Sequence, residues 1–223
     1  MSQLLRVQNF MVSADGFGAG EGQCLEAPFG HAQSRDGAAP RLPADLASWA
    51  FATAGWSYRT EPGGSRGLDD YFVRDFGHGI GAEIMGRNKF GPQRGPWENL
   101  DWQGWWGDEP PFHTPVFVLT RHHRPSFTLA DTTFHFLDAS PAEAARIALD
   151  AADGKDVRIG GGVAAVREFL DADLIDAMHV AVAPIEIGAG ERLWTSPDDL
   201  LDRFQLETVP SASGVTHLLF WRR

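Results

Sequence analysis

The residues best suited to chemistry are three consecutive glycines, Gly160-Gly161-Gly162. They follow the short β-type run Val157 to Ile159. They lead into a segment with Val163, Val166 and Leu170 at the i, i+3, i+7 spacing of one helical face. A strand, a glycine turn and a helix start form an anion cradle. Unpaired backbone N–H groups and the positive end of the helix dipole point at a phosphate, and the missing Cβ atoms let it approach. A tight turn before a surface helix accounts for the triplet equally well. Gly160, Gly162 and Ala165 also satisfy G-x-G-x-x-G/A, but too little chain follows for a full doubly wound sheet.

Two further strand ends carry compatible residues. Ala82 to Met85 reads as a strand running into Gly86-Arg87 and a brief helix stopped by Gly91-Pro92. Pro115 to Thr120 reads as a buried strand that delivers Arg121-His122-His123-Arg124. In α/β sheets ligands sit at the carboxyl ends of strands. A pyrophosphate suits the glycines, and a ribose phosphate suits the planar forks of Arg87 and Arg121, which favours NADPH over NADH.

The elements that position these groups follow from pattern. Strands are expected at Leu4–Ser13, closed by Asp15-Gly16, at Thr133–Leu137 and at Met178–Pro184, with a hairpin of Phe204–Val209 and Val215–Trp221. Helices are expected at Pro43–Ala54, Leu68–Phe76 and from Ser140 to about Asp153, where Pro141 and Glu143 complete a capping box. Gly18–Pro43 and Thr60–Gly67 read as loops. The result is a single α/β domain over 1–223, with a mainly parallel sheet and an antiparallel edge.

Composition narrows the function. A formal charge of -11 argues against nucleic acid and against anionic membrane surfaces. The single cysteine, Cys24, fits a reducing compartment, and no signal-peptide or spanning pattern is present, so a cytoplasmic location is expected. Trp97, Trp102, Trp105 and Trp106 either wall a flat substrate or pack their own loop down. The adjacent His122-His123 has no metal-site spacing.

Several blocks in order resemble the dihydrofolate-reductase-like superfamily. The branch is the C-terminal reductase domain of riboflavin-biosynthesis deaminase–reductases (RibD). The blocks are Val12-Ser-Ala-Asp15-Gly16-Phe17, Met85-Gly86-Arg87-Asn-Lys-Phe90, Val116-Phe-Val-Leu-Thr120-Arg121 and Gly154 through Val163. Leu174 through Pro184 and Gly188-Ala-Gly190-Glu-Arg-Leu193 complete the series. The Trp-rich block 95–115 resembles a stand-alone subgroup. The resemblance implies a three-layer dihydrofolate-reductase-like fold and an NADPH-dependent reductase acting on a small heterocyclic or carbonyl compound, similar to 5-amino-6-(5-phosphoribosylamino)uracil reductase. It places Gly86, Arg87, Thr120 and Arg121 at the adenosine phosphates and Gly160, Gly161, Gly162 and Val163 at the pyrophosphate. The nicotinamide falls near the loop of Asp15, a candidate proton relay, with Phe17 and Trp106 as candidate substrate contacts. A homodimer is implied. The zinc-binding deaminase part has no counterpart, and Asp45, Asp69 and Asp70 stand only roughly where folate reductases carry a helix acid. A flavin-dependent relative and a non-catalytic nucleotide-binding dimer are the alternatives.

Overall fold

The computed structural model describes residues 2–31, 43–56, 58 and 61–223. In chain order the elements are β1 (Leu5–Ser13), β2 (Phe17–Ala19), α1 (Ser48–Phe51), α2 (Leu68–Arg74), β3 (Ile80–Gly86), α3 (Arg87–Phe90), β4 (Val116–Leu119), β5 (Phe127–Leu129) and β6 (Thr132–Leu137). They continue with α4 (Pro141–Ala151), β7 (Asp156–Gly161), α5 (Val163–Asp171), β8 (Ala177–Ala183), β9 (Glu191–Arg192), β10 (Phe204–Pro210) and β11 (Thr216–Arg222). Short 3-10 turns occupy Pro43–Leu46, Asp75–Gly77 and Pro197–Leu200.

The chain divides into two compact units. The first comprises Met1–Val7 and Gly79–Asp176. Its strands run in the order β1-β7-β3-β4-β6-β5, parallel except for the antiparallel edge pair β5–β6. Side chains alternate across this sheet. Ala82, Ile84, Val157 and Ile159 are fully buried on the face that α4 and α5 cover. Helix α4 starts at the expected Ser140 cap, whose Oγ accepts the Glu143 N–H at 3.3 Å with Pro141 in the first turn. The reciprocal bond from the Ser140 N–H to the Glu143 side chain, the other half of the expected capping box, is not made. Helix α5 buries Val163, Val166 and Leu170, the predicted stripe, together with Ala165 and Phe169. The opposite face carries α3 and the Trp-rich segment, so the sheet lies between two layers.

The second unit comprises Gln8–His78 and Ala177–Arg223. Its strand order is β10-β11-β8-β1, and both β10–β11 and β11–β8 are antiparallel. A small β2–β9 pair stands beside it. One core cluster joins Phe17, Leu46, Ala183, Ile185 and Ile187, and a second joins Trp49, Ala50, Ala181 and Val215. The mainly parallel sheet and the antiparallel C-terminal hairpin agree with the expected fold class.

Three local expectations need correction or bounding. Pro43–Ala54 is not one helix. It breaks at Ala47 into a 3-10 turn and the four-residue α1, and Thr53 leaves the helix to bridge Ser65. Strand β5 was not expected; its turn to β6 places Ala130 at φ 49°, a conformation usually signalled by glycine or asparagine. Of the expected 18–43 loop, residues 32–42 lie outside the described residues, as does Thr60 of the second loop; Phe17–Ala19 is strand and Glu21 bridges His31.

Candidate functional site

In the first unit, register brings the three strand ends together. Met85 pairs with Gly161, and Gly86 pairs with Leu119, the residue before Thr120. Gly86-Arg87, Thr120-Arg121 and the glycine triplet therefore lie along one edge of β7-β3-β4. Strand β3 and helix α5 approach closely here: a Cβ on Gly86 would stand 3.3 Å from Ala165 Cβ and 3.6 Å from Gly162 N.

The three glycines do different work. A Cβ on Gly160 would stand 2.0 Å from Glu83 Oε1 and 2.7 Å from Lys89 Nζ, so this glycine clears space for an ion cluster. Gly161 has φ 107°, a region that L-residues with side chains avoid. Gly162 caps α5, and a Cβ there would meet nothing within 4 Å. The open side of the turn is thus at Gly162 and Val163, where the first N–H groups of α5 lack intrahelical partners.

Arg87 lies flat over Trp97, with Cζ 3.7 Å from the ring centroid, and donates through Nη1 to Gly95 O. Its Nε and Nη2 are buried and have no hydrogen-bond partner. Burial, and secondly the charge of Arg94, hold its pKa below the ordinary arginine value. Arg124 is pushed the same way by burial and then by Arg87. Among the described residues none of these three arginines is ion-paired with a carboxylate. This is a concentration of positive charge in an acidic chain.

Thr120 donates its N–H to Leu137 O, and its Oγ1 accepts the His122 N–H at 3.2 Å. Arg121 is exposed at the strand end. The buried arginine of that run is Arg124, which sequence reasoning passed over. It is 4% exposed, lies 5.0–5.4 Å from the rings of Phe90, Trp97, Phe127 and Phe136, and donates to Leu100 O (2.8 Å) and Trp102 O. The letters of the run gave no signal for it, since the ring cage that separates Arg124 from Arg121 forms only in the fold.

The tryptophans pack their own loop. Trp97 Nε1 donates to His122 O at 2.9 Å and Trp102 Nε1 to Phe90 O at 3.0 Å. Trp106 stacks on Phe134 and meets Phe112 edge-on.

Beneath this loop a second group was also missed. Arg158 Nε donates to Glu83 Oε2 at 2.5 Å, both side chains being at most 2% exposed. Lys89 Nζ donates to Gly160 O at 2.5 Å and lies 3.6 Å from Glu83 Oε1. Desolvation is the main cause that pushes Lys89 down to about 8, against the raising effect of Glu83. The charged residues on strands β3 and β7 were its only sequence signal.

In the second unit, Asp15 is a loop anchor. Its carboxylate accepts the Ser13 hydroxyl (2.6 Å) and the N–H groups of Ile187 (3.1 Å) and Gly188 (2.8 Å). Burial raises its pKa, but these bonds together outweigh burial and hold it below the usual aspartate value. Such a carboxylate is an ionised acceptor. Phe17 is 6% exposed in the first core cluster, with the Arg192 guanidinium 4.5 Å from its ring centroid. Of the three acids, Asp70 pairs with Arg74, and Asp69 accepts from the buried His217. Asp45 lines a cleft of about 350 Å³ with Ser48, Trp49, Ile185 and Val215.

The RibD C-terminal domain model matches residues 7–217. The chain belongs to the RibD C-terminal domain family. None of the curated proteins matches it. Solved structures agree in fold. A protein assigned to riboflavin biosynthesis from Shewanella sp. PV-4 has 16% identity and a TM-score of 0.50, with 100% of this chain and 99% of that one covered. RibD of Acinetobacter baumannii has 15% identity and a TM-score of 0.51, covering 100% of this chain and 58% of that one. The Thermotoga maritima diaminohydroxyphosphoribosylaminopyrimidine deaminase/5-amino-6-(5-phosphoribosylamino)uracil reductase has 11% identity and a TM-score of 0.50, covering 100% and 57%. At these identities the likeness concerns the fold. No helix among the described residues is long and apolar enough to cross a membrane.

Proposed function

We propose that this RibD C-terminal domain is an NADPH-dependent reductase of a small heterocyclic or carbonyl compound. The observation that carries the reading is the pair of buried, unpartnered donors on Arg87, beside a glycine turn that opens at the start of α5. An anionic oxygen is the natural complement of a guanidinium whose Nε and Nη2 have no acceptor. The residues fit the cofactor. Arg87, supported by Arg94, would take the ribose phosphate, with Thr120 and the exposed Arg121 at the neighbouring strand end. Gly161, Gly162 and Val163 would give backbone N–H groups to the pyrophosphate. When bound, NADPH supplies a hydride. The chain's own share is to bind, to orient and to exclude water. In this reading residues 1–223 act as one catalytic domain within a homodimer, Asp15 sets the loop that carries Phe17, and Trp106 holds the Trp-rich wall.

The substrate class rests on family membership and on the reductase activity named for the Thermotoga maritima protein. The test is NADPH oxidation by the full chain against a panel of aminopyrimidines, pterins and small carbonyl compounds. Turnover of one C=N or C=O substrate class supports the reading. Tight NADPH binding without oxidation of any panel member would favour a non-catalytic nucleotide-binding protein, and a yellow cofactor retained through purification would favour a flavin.

A further inference from the structure

Arg87 is held on two sides and open on a third. A guanidinium carries its five N–H donors in one plane. One face of that plane lies on the Trp97 ring, with Cζ 3.7 Å from the centroid, and Nη1 donates to Gly95 O. The edge left over is the Nε–Nη2 pair, two adjacent donors that take two oxygens of one anion side by side. Neither has a hydrogen-bond partner, and Arg87 as a whole is half-buried. Trp97 is itself fixed. Its Nε1 donates at 2.9 Å to the carbonyl of His122, two residues beyond Thr120. Its ring meets Phe90 and Phe136 edge-on, with centroids 6.0 and 5.5 Å away, and Arg124 Cζ lies 5.0 Å from the same ring. The ring therefore ties the end of β3, where Arg87 stands, to the end of β4. A free arginine gives up rotamer freedom when it grips an anion; one already stacked and hydrogen-bonded has given it up beforehand.

We propose that Trp97 is a positioning residue: it holds Arg87 so that the Nε–Nη2 edge meets a phosphate monoester, and it thereby sets a preference for a phosphorylated ribose. This rests on the cofactor reading, in which that phosphate belongs to NADPH. The role of Trp97 is then more than packing its own loop. It acts through Arg87 and not on the ligand, so its effect should vanish when Arg87 is gone.

The experiment is calorimetric titration of the full chain with NADPH, NADH and adenosine 2′-monophosphate. It compares wild type, Trp97→Leu, Trp97→Phe, Arg87→Gln and the double variant of Trp97→Leu with Arg87→Gln. Trp97→Leu removes the flat platform and should weaken NADPH and the monophosphate about tenfold, while NADH changes by less than about threefold. Trp97→Phe keeps a ring under the guanidinium and should retain most of the affinity. In the Arg87→Gln background Trp97→Leu should cause no further loss, because the group it positions is absent. A structural role alone would weaken both dinucleotides alike and would add to the Arg87→Gln loss. Wild type supplies a check that needs no variant to fold. Ring current from Trp97 should move the Arg87 Nε–H resonance upfield of an ordinary arginine, and NADPH but not NADH should shift it. An Arg87 Nε–H resonance indifferent to both, equal losses for NADPH and NADH in Trp97→Leu, or additive losses in the double variant would overturn the proposal. Trp97-dependent binding of the monophosphate without binding of NADPH would uphold it and overturn the cofactor reading. Binding of none of the three, or of NADPH and NADH equally, would overturn both.

Discussion

His217 donates through Nε2 to Asp69 Oδ1 at 2.9 Å and accepts at Nδ1 from His179 Nε2, also at 2.9 Å. The Asn9 N–H fixes the far end by donating to His179 Nδ1 at 3.3 Å. An acceptor at His179 Nδ1 makes its Nε2 the donor, and the same logic passes to His217, so every proton in the chain points towards Asp69. Phe72 stacks on His179, and Trp49 meets the His217 ring edge-on.

This network predicts the acid limb of stability. Burial, and secondly His217, push His179 down to about 3, and burial lowers His217 despite the opposing hydrogen bond from Asp69. Both rings bind a proton less readily when folded than when unfolded, where a histidine charges below about pH 6.5, and His179 stays neutral in the fold down to about pH 3. The unfolded state therefore binds more protons, and the stability present above that pH is lost as pH falls. The expected slope from His179 is about 1.4 kcal/mol per pH unit, and His217 adds to it in the same direction. Denaturant unfolding between about pH 6 and 4 checks it, and His179→Gln should lower the slope by about one proton.

The glycines of the turn should separate by variant. Gly160→Ala drives a methyl into Glu83 and Lys89 and should cost about 2–4 kcal/mol, read as a lowered melting temperature. Gly162→Ala has φ -68° and open space, so stability should change by less than about 1 kcal/mol, while NADPH binding weakens because the methyl occupies the side where an anion approaches.

Arg124 should prove to be the anchor of the Trp-rich loop. Arg124→Lys loses the planar fork that reaches Leu100 O and Trp102 O and the stacking among the aromatic rings, at a cost of about 2–3 kcal/mol. Hydrogen exchange should rise across residues 95–115 and stay unchanged in β10 and β11.

The strand ends were legible because each pairs an apolar run with a glycine or a polar stop: Met85-Gly86, Leu119-Thr120 and Ile159-Gly160. Helix α5 was legible from the spacing of Val163, Val166 and Leu170. What could not be read were properties of packing. Gly160 looks like its two neighbours in sequence, yet it serves Glu83, which is 77 positions away. Arg121 and Arg124 are equivalent letters in one run, and only the ring cage around Arg124 tells them apart. The turn into β6 uses Ala130 and Asp131 without a glycine, which hid β5. His179 and His217 lie 38 positions apart and meet only because β8 pairs with β11.

In the proposed reductase, Arg87 holds the phosphate that distinguishes NADPH from NADH. The most direct measurement titrates both nucleotides into the wild type and into Arg87→Gln, following tryptophan emission, to which Trp97 under the guanidinium contributes. Wild type should prefer NADPH, and Arg87→Gln should lose about ten- to a hundredfold in NADPH affinity with less than about a threefold change for NADH. Equal losses for both nucleotides, or no change in either, would contradict that role.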